Sequence, residues 1–307
     1  MPNPKTPDAF KSGFVVLVGR PNTGKSTLLN ALVGKKVSIV SDRPQTTRTR
    51  LRAIIDRPDA QVVIVDTPGI HKPMDALGGE LNKTALRAVS DADVVCFVVD
   101  GSQPVGRGDE WIARHIAAST EPHRILLVTK ADLVDQATVE RQIASARKFL
   151  SFDEVLVVSA VEGFNLEAFL EVVIRALPEG PRYFPPDMES DQSIETTIAE
   201  FIREKIIRAT FDEVPHAIGV VVEEYLPATE RSVAKIAAII YVERDSQKGI
   251  LIGKGGETIK KMGIDARLDL ERLLAEKVYL DLRVKVKPNW RRDPIQIRRL
   301  GYGDGGD

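Results

Sequence analysis

Cysteine is almost absent from this chain. Of its 307 residues only Cys96 is one, so no disulfide can close within the chain and a reducing compartment is expected. Cys96 lies in "VVCFVVD" and reads as strand core rather than as a reactive thiol, because a free buried cysteine packs as a small hydrophobe. Long apolar runs are missing too. None approaches the roughly 18 residues of a membrane span, and the opening "MPNPKTPDAFKSG" lacks the apolar region of a secretory signal, so a cytoplasmic protein is expected. Histidine is scarce: His115, His123 and His216 show no metal-ligand spacing and read as structural or surface residues. Net charge is also nearly absent, at −1, which argues against binding polyanions over the whole surface.

What is present is ordinary for a globular chain long enough for two domains, with 43% hydrophobic and 28% charged residues. The charge is unevenly spread. Between Lys248 and Arg299 there are 14 Lys and Arg against 7 Asp and Glu, a local balance of +7, so the remainder carries −8. A basic end of this kind is the footprint expected of a nucleic-acid or membrane-surface module, the plain alternative being a solvated helical face.

Up to about residue 178 the chain alternates β-rich runs with helical stretches: "FVVLVG" (14–19), "RAIID" (52–56), "VVIVD" (62–66), "VVCFVVD" (94–100), "RILLVTK" (124–130) and "VLVVSA" (155–160). Several are apolar throughout, as strands covered on both faces must be, which predicts a mostly parallel α/β sheet. The stretch 179–193 is rich in proline and reads as a linker. From 194 to 295 the order changes to helix (195–211), two strands (217–224, 235–243), helical material and a last strand (278–287), a separate α+β domain. The tail, 300–307, is polar and glycine-rich and is expected not to fold.

"GRPNTGKST", Gly19 to Thr27, fulfils the P-loop pattern between a predicted strand and a predicted helix. Its glycines let backbone N–H groups converge on phosphate oxygens, Lys25 brings a compact charge to the β and γ phosphates, and the Ser26 hydroxyl suits Mg²⁺. "DTPG" ends the third run, where Asp66 can sit beside the metal's water shell and Gly69 can offer its amide to a γ-phosphate. Between them, "DRPQTTRTR" reads as a loop that orders when a Thr hydroxyl reaches the metal, with Thr47 the first choice and Thr46 the alternative. "TKAD" supplies Asp132 to accept from the ring N–H and amine of guanine, a pattern adenine cannot offer, and Lys130, whose stem can lie over the ring. Ser159 and Ala160 close the sixth run, where the Ala160 amide can meet the guanine oxygen.

This ordered series resembles the five motifs of the translation-factor class of GTPases, over residues 13–178. The resemblance implies GTP or GDP with Mg²⁺ held by Gly19, Asn22, Thr23, Gly24, Lys25, Ser26, Thr27, Asp66, Thr129, Lys130, Asp132, Ser159 and Ala160. It implies Ser26, Thr47 and Asp66 as the metal set, and Lys25, Thr47 and Gly69 as the residues nearest the reaction. Two departures stand out. The family's fourth motif usually begins with Asn, which braces the P-loop and contacts the base; Thr129 stands here, a change expected to weaken guanine affinity while Asp132 keeps the discrimination. Where many switch GTPases carry a water-orienting Gln after "DTPG", this chain has Ile70, which cannot position water, so slow intrinsic hydrolysis is expected. His71 follows and is more simply a loop residue than a base.

"GILIGKGGETI" (249–259) is a second glycine loop and fails as a P-loop. Only three residues separate Gly249 from the Gly253-Lys254 pair, and Gly255 follows the lysine instead of Ser or Thr. The run "ETIKKMGIDARLDLERLLAEK" after it keeps apolar residues at 259, 264, 268, 270, 273 and 274, a helical spacing. The arrangement resembles the KH domain in its type II, bacterial form, whose G-x-x-G loop clamps about four single-stranded nucleotides. That implies RNA contacts from Ile252, Gly253, Lys254, Gly255, Gly256 and Lys260. A GTPase domain followed by a KH domain is similar to the Era family of bacterial ribosome-assembly GTPases, with "QTTR", "DTPGIH" and "VKVKPNWRRD" fitting its pattern. The resemblance implies binding near the 3′ end of 16S rRNA during maturation of the small (30S) subunit, a monomer, and peripheral association with the cytoplasmic membrane face.

Overall fold

The computed structural model describes residues 10–41, 43, 46–70, 73–118 and 122–302. The chain forms two compact units, one of residues 1–38, 47–72 and 81–191, the other of 39–46, 73–80 and 192–307.

The first unit is a six-stranded sheet in the order β2-β3-β1-β4-β5-β6. Its strands are β1 (Lys11–Val18), β2 (Leu51–Asp56), β3 (Ala60–Asp66), β4 (Val94–Asp100), β5 (His123–Thr129) and β6 (Glu154–Val157). Only β2 runs antiparallel to its neighbour; β3, β1, β4, β5 and β6 are parallel. Helices α1 (Lys25–Val33), α2 (Ala76–Ser90, of which 81–90 belong to this unit), α3 (Arg107–Ala117), α4 (Gln136–Ala146) and α5 (Leu166–Ala176) connect them. The apolar strands follow from this layering. Val15, Leu17, Cys96 and Val98 belong to one core, while Val16, Val18, Phe97 and Val99 belong to a second. Each strand therefore contributes alternate residues to two cores. Cys96 is buried, and burial pushes its thiol pKa far up, in keeping with strand core.

The stretch expected as a linker is bound to the first unit as far as Asp191, which corrects the expectation. Buried Gln61 holds it: its carbonyl accepts from the N–H groups of Tyr183 (2.8 Å) and Phe184 (3.0 Å), and its amide donates to the Phe184 carbonyl at 2.9 Å. Farther on, Ile54 donates to the Glu189 carbonyl and Arg52 to Asp191, both at 3.0 Å. Proline removes donors, but carbonyls and the remaining N–H groups still bond to a sheet edge.

The second unit contains α6 (Ile194–Ala209), α7 (Val214–Ala217), β7 (Gly219–Leu226), β8 (Ala234–Val242), α8 (Asp245–Ile252), α9 (Glu257–Leu274), β9 (Val278–Val286) and α10 (Pro294–Arg299). The sheet order is β7-β8-β9, with β7 antiparallel and β9 parallel to β8. Ile198, Phe201 and Ile202 of α6, Ile236, Ala238 and Ile240 of β8, and Met262, Ala266 and Leu270 of α9 share one core. The buried stripe of α9 is thus 262, 266 and 270, at helical i, i+4 spacing. Ile264 and Leu268, read from the sequence as part of the apolar face, are 43% and 41% exposed. The tail folds farther than expected: Leu300 and Tyr302 are buried, and the Tyr302 ring lies 5.8 Å from that of Trp290. Residues 303–307 lie outside the described residues.

Candidate functional site

The P-loop joins β1 to α1. Asn22 (φ 64°) and Gly24 (φ 85°) both take left-handed backbone, and α1 starts at Lys25 with no side chain capping it and no acid in its first turn. Its leading N–H groups and dipole are thereby available to an anion. Thr27 lies in that first turn. Gly19 admits no side chain, since a Cβ there would overlap the Val98 carbonyl. The Lys25 ammonium is folded into the loop, donating to the carbonyls of Gly19 (3.2 Å) and Arg20 (2.7 Å). Burial lowers its pKa to about 8 against the pull of Asp66.

Three hydroxyls gather at Asp66. Ser26 donates to its Oδ2 at 2.7 Å and Ser38 at 3.0 Å, and Thr47 Oγ1 stands 3.0 Å from Ser26 Oγ and 3.5 Å from that carboxylate oxygen. Asp66 Oδ1 is buried and has no partner among the described residues. Burial raises the Asp66 pKa, and Lys25 and the three hydroxyls pull it down. Thr46 is engaged elsewhere, donating to the Arg43 carbonyl at 2.6 Å, so geometry brings Thr47 and not Thr46 to this cluster. Oxygen donors with one orphaned carboxylate oxygen match the needs of a small hard cation such as Mg²⁺. Ser38 was not singled out in the sequence. It lies 28 residues before Asp66, in a segment with no motif spacing.

Gly69 sits hard against the loop: a Cβ there would stand 2.8 Å from Pro21 Cα. The next residue, Ile70, is 1% exposed, with its N–H 3.3 Å from the Gly19 carbonyl and its side chain in the core. His71 lies outside the described residues.

At the far end of β5, Thr129 is buried, and its hydroxyl lies 2.7 Å from the Thr23 carbonyl and 3.1 Å from that of Val99. The threonine therefore bonds to the P-loop from the position where the resembled GTPases usually carry Asn. Lys130 adopts left-handed backbone (φ 57°), and its ammonium is held by Asp100 Oδ2 at 2.6 Å. Asp132 is exposed, and its Oδ1 accepts from the Ser159 hydroxyl at 2.6 Å, which orients the carboxylate. Ala160 follows Ser159 in a tight loop closed by reciprocal Ser159–Phe164 backbone bonds. Asp100 is the second residue missed, although its place at the end of a buried parallel strand was a usable signal.

In the second unit, "GKGG" separates α8 from α9. Gly253 (φ 72°, ψ 177°), Gly255 (φ 60°) and Gly256 (φ 82°) have positive φ. A Cβ at Gly253 would lie 2.7 Å from Thr258 Cβ, whereas Gly255 and Gly256 face open space and Lys254 is exposed. Beside this loop runs a groove of about 330 Å³ lined by Ile259, Lys260, Gly263, Ile264, Arg267, Leu280 and Leu282. Its lining is mostly apolar and carries two cations. Lys260 is in it, and Arg267, not selected from sequence, joins it. Ile252 is half-buried and does not line it.

A family model described as "50S ribosome-binding GTPase" matches residues 14–130, and the KH domain model matches 213–291. The GTPase Era of Staphylococcus haemolyticus is 44% identical over 292 residues, covering 95% of this chain and 97% of that protein. Two solved structures superpose with TM-scores of 0.91, each covering 96% of this chain and all of the other. One is a single-residue variant of Aquifex aeolicus Era bound to GDP·AlF4⁻ (37% identity), and the other is Era in complex with MgGDPNP and nucleotides 1506–1542 of 16S ribosomal RNA (38%).

Proposed function

The chain belongs to the Era family of GTPases, and on that premise we propose that it binds and hydrolyses GTP with Mg²⁺ and couples this to binding single-stranded RNA in the 3′ region of 16S rRNA during small-subunit assembly. The observation that carries the nucleotide half is the cluster of Ser26, Thr47 and Asp66 beside the Lys25 ammonium. Ser26 and Thr47 would hold the cation, with Asp66 at its water shell. Bound there, Mg²⁺ would neutralise charge on the β and γ phosphates. Lys25 exchanges two carbonyls for phosphate oxygens, and the α1 N–H groups and the Gly69 amide orient the same groups. Asp132 reads the guanine edge while Asp100 keeps the Lys130 stem extended over the ring.

No side chain at position 70 orients the attacking water, because Ile70 is turned into the core, so turnover is slow unless a partner contributes. The RNA half rests on the open "GKGG" loop and its apolar groove, which suit a sugar-phosphate chain with bases laid inward. Coupling has a covalent route: the residues just before Thr47 and just after the Gly69 loop belong to the compact unit that carries the groove. GTP should therefore strengthen RNA binding, and RNA should strengthen GTP binding by the same factor.

Cytoplasmic residence, a monomeric state and contact with the membrane face belong to the same proposal. No helix among the described residues is long and apolar enough to cross a membrane. The test is to crosslink the intact protein, loaded with a GTP analogue, to cellular RNA and sequence the footprint. Reads concentrated at the 3′ end of 16S rRNA are expected; reads spread over unrelated RNAs would contradict the assignment.

A further inference from the structure

Thr129 is a member of the nucleotide constellation whose single side-chain proton is already spent. Its hydroxyl is buried between two carbonyls, that of Thr23 in the P-loop at 2.7 Å and that of Val99 at the end of β4 at 3.1 Å. A hydroxyl carries a single hydrogen, so whichever carbonyl takes it, none remains for a third acceptor. The methyl and hydroxyl also rest against Gly24, 3.6 to 3.9 Å from where a Cβ would stand, just ahead of Lys25. The Thr129 carbonyl accepts from Gly101 at 2.9 Å, which fixes the residue from its main chain as well. Guanine presents donors at N1 and N2 and acceptors at O6 and N7. Asp132 answers the donors, with one oxygen steadied by Ser159. An acceptor such as N7 needs a donor, and Thr129 has none to give.

We propose that Thr129 is a positioning residue that ties the P-loop to β4 and β5, and that this protein recognises guanine without reading N7. The inference rests on the guanine-nucleotide reading above and deepens it. Its consequence is a nucleotide specificity set by the N1, N2 and O6 edge alone, so that purine analogues altered at position 7 remain ligands.

The experiment compares GDP with 7-deaza-GDP, in which a C–H replaces N7, on the intact chain by competition against a fluorescent GDP. Affinities within twofold of each other are expected. A loss of tenfold or more for 7-deaza-GDP overturns the proposal, whichever group turns out to read N7. If GDP itself fails to compete while the protein is folded, the guanine-nucleotide reading fails first, and the two failures are thus distinct.

The brace is tested with Thr129→Val, which keeps the shape and deletes the hydroxyl, and Thr129→Ser, which keeps the hydroxyl. Valine is expected to weaken GDP and 7-deaza-GDP alike by roughly tenfold, the worth of one buried hydrogen bond. GMP, which lacks the β-phosphate nearest the loop, should lose much less. Serine should restore GDP binding to within about threefold. Unchanged GDP affinity in a folded valine variant, or an equal loss for GMP, removes the brace. A melting curve without nucleotide establishes that each variant is folded.

Discussion

The two glycine loops of this chain share a composition and differ in almost every physical respect. In the P-loop the lysine is buried among carbonyls and a helix begins directly behind it. In "GKGG" the lysine is exposed, a Cβ at Gly255 or Gly256 would meet nothing within 4 Å, and a groove lies alongside. An enclosed loop with converging N–H groups suits a compact cluster of phosphates, whereas an open one suits a chain of phosphates that enters and leaves. Each loop nevertheless opens on a glycine where a Cβ would overlap its surroundings, Gly19 against the Val98 carbonyl and Gly253 against Thr258. Glycine content alone therefore says little; what surrounds the loop assigns the ligand.

The contrast can be broken from either side. Lys25→Ala should have the largest effect: if this ammonium meets the phosphates as proposed, its loss costs about 4 kcal/mol, near a thousandfold in GDP affinity. RNA affinity of the nucleotide-free protein should stay the same. Asp132→Asn should weaken GTP by about a hundredfold, since the charged acceptor proposed to meet the two guanine donors is replaced by an amide. Titration with xanthosine triphosphate should show the preference reversing.

Gly253→Ala should destabilise the second unit by about 2 to 3 kcal/mol, combining overlap with an unfavourable backbone region. Gly255→Ala should cost only about 1 kcal/mol, because strain acts there without overlap. Thermal melts of the two variants measure the difference, and equal shifts would mean that Gly253 is not packed as described. Deleting residues 300–307 should cost about 2 kcal/mol through loss of the buried Leu300 and Tyr302. The smallest effect is at Cys96, whose raised pKa and burial should leave it unreactive toward a thiol reagent until the protein unfolds.

Much of this was legible in the sequence because the signals are local. The P-loop, "DTPG", "TKAD" and "GKGG" are each short runs at the ends of elements that periodicity locates. The misses are contacts between distant positions. Ser38 joins Asp66 only because the chain returns after 28 residues, and Asp100 meets Lys130 through the pairing of β4 with β5. The proline-rich stretch offered no sign that Gln61, more than 120 residues earlier, would hold its backbone. Tyr302 sits in a glycine-rich tail and folds because Trp290 gives it a surface. On α9, apolar residues on the groove side imitated core positions, which blurred the stripe that the buried 262, 266 and 270 define.

The central claim is that one loop holds a nucleotide and the other an RNA strand, and the double variant Gly255→Asp, Gly256→Asp tests it most directly. RNA binding to a single-stranded oligonucleotide from the 3′ end of 16S rRNA is measured beside basal GTP turnover in the same preparation. Two carboxylates on this open loop, proposed to meet the RNA backbone, should lower RNA affinity by at least about tenfold and leave turnover at the parent rate. RNA affinity equal to that of the parent protein would contradict the account.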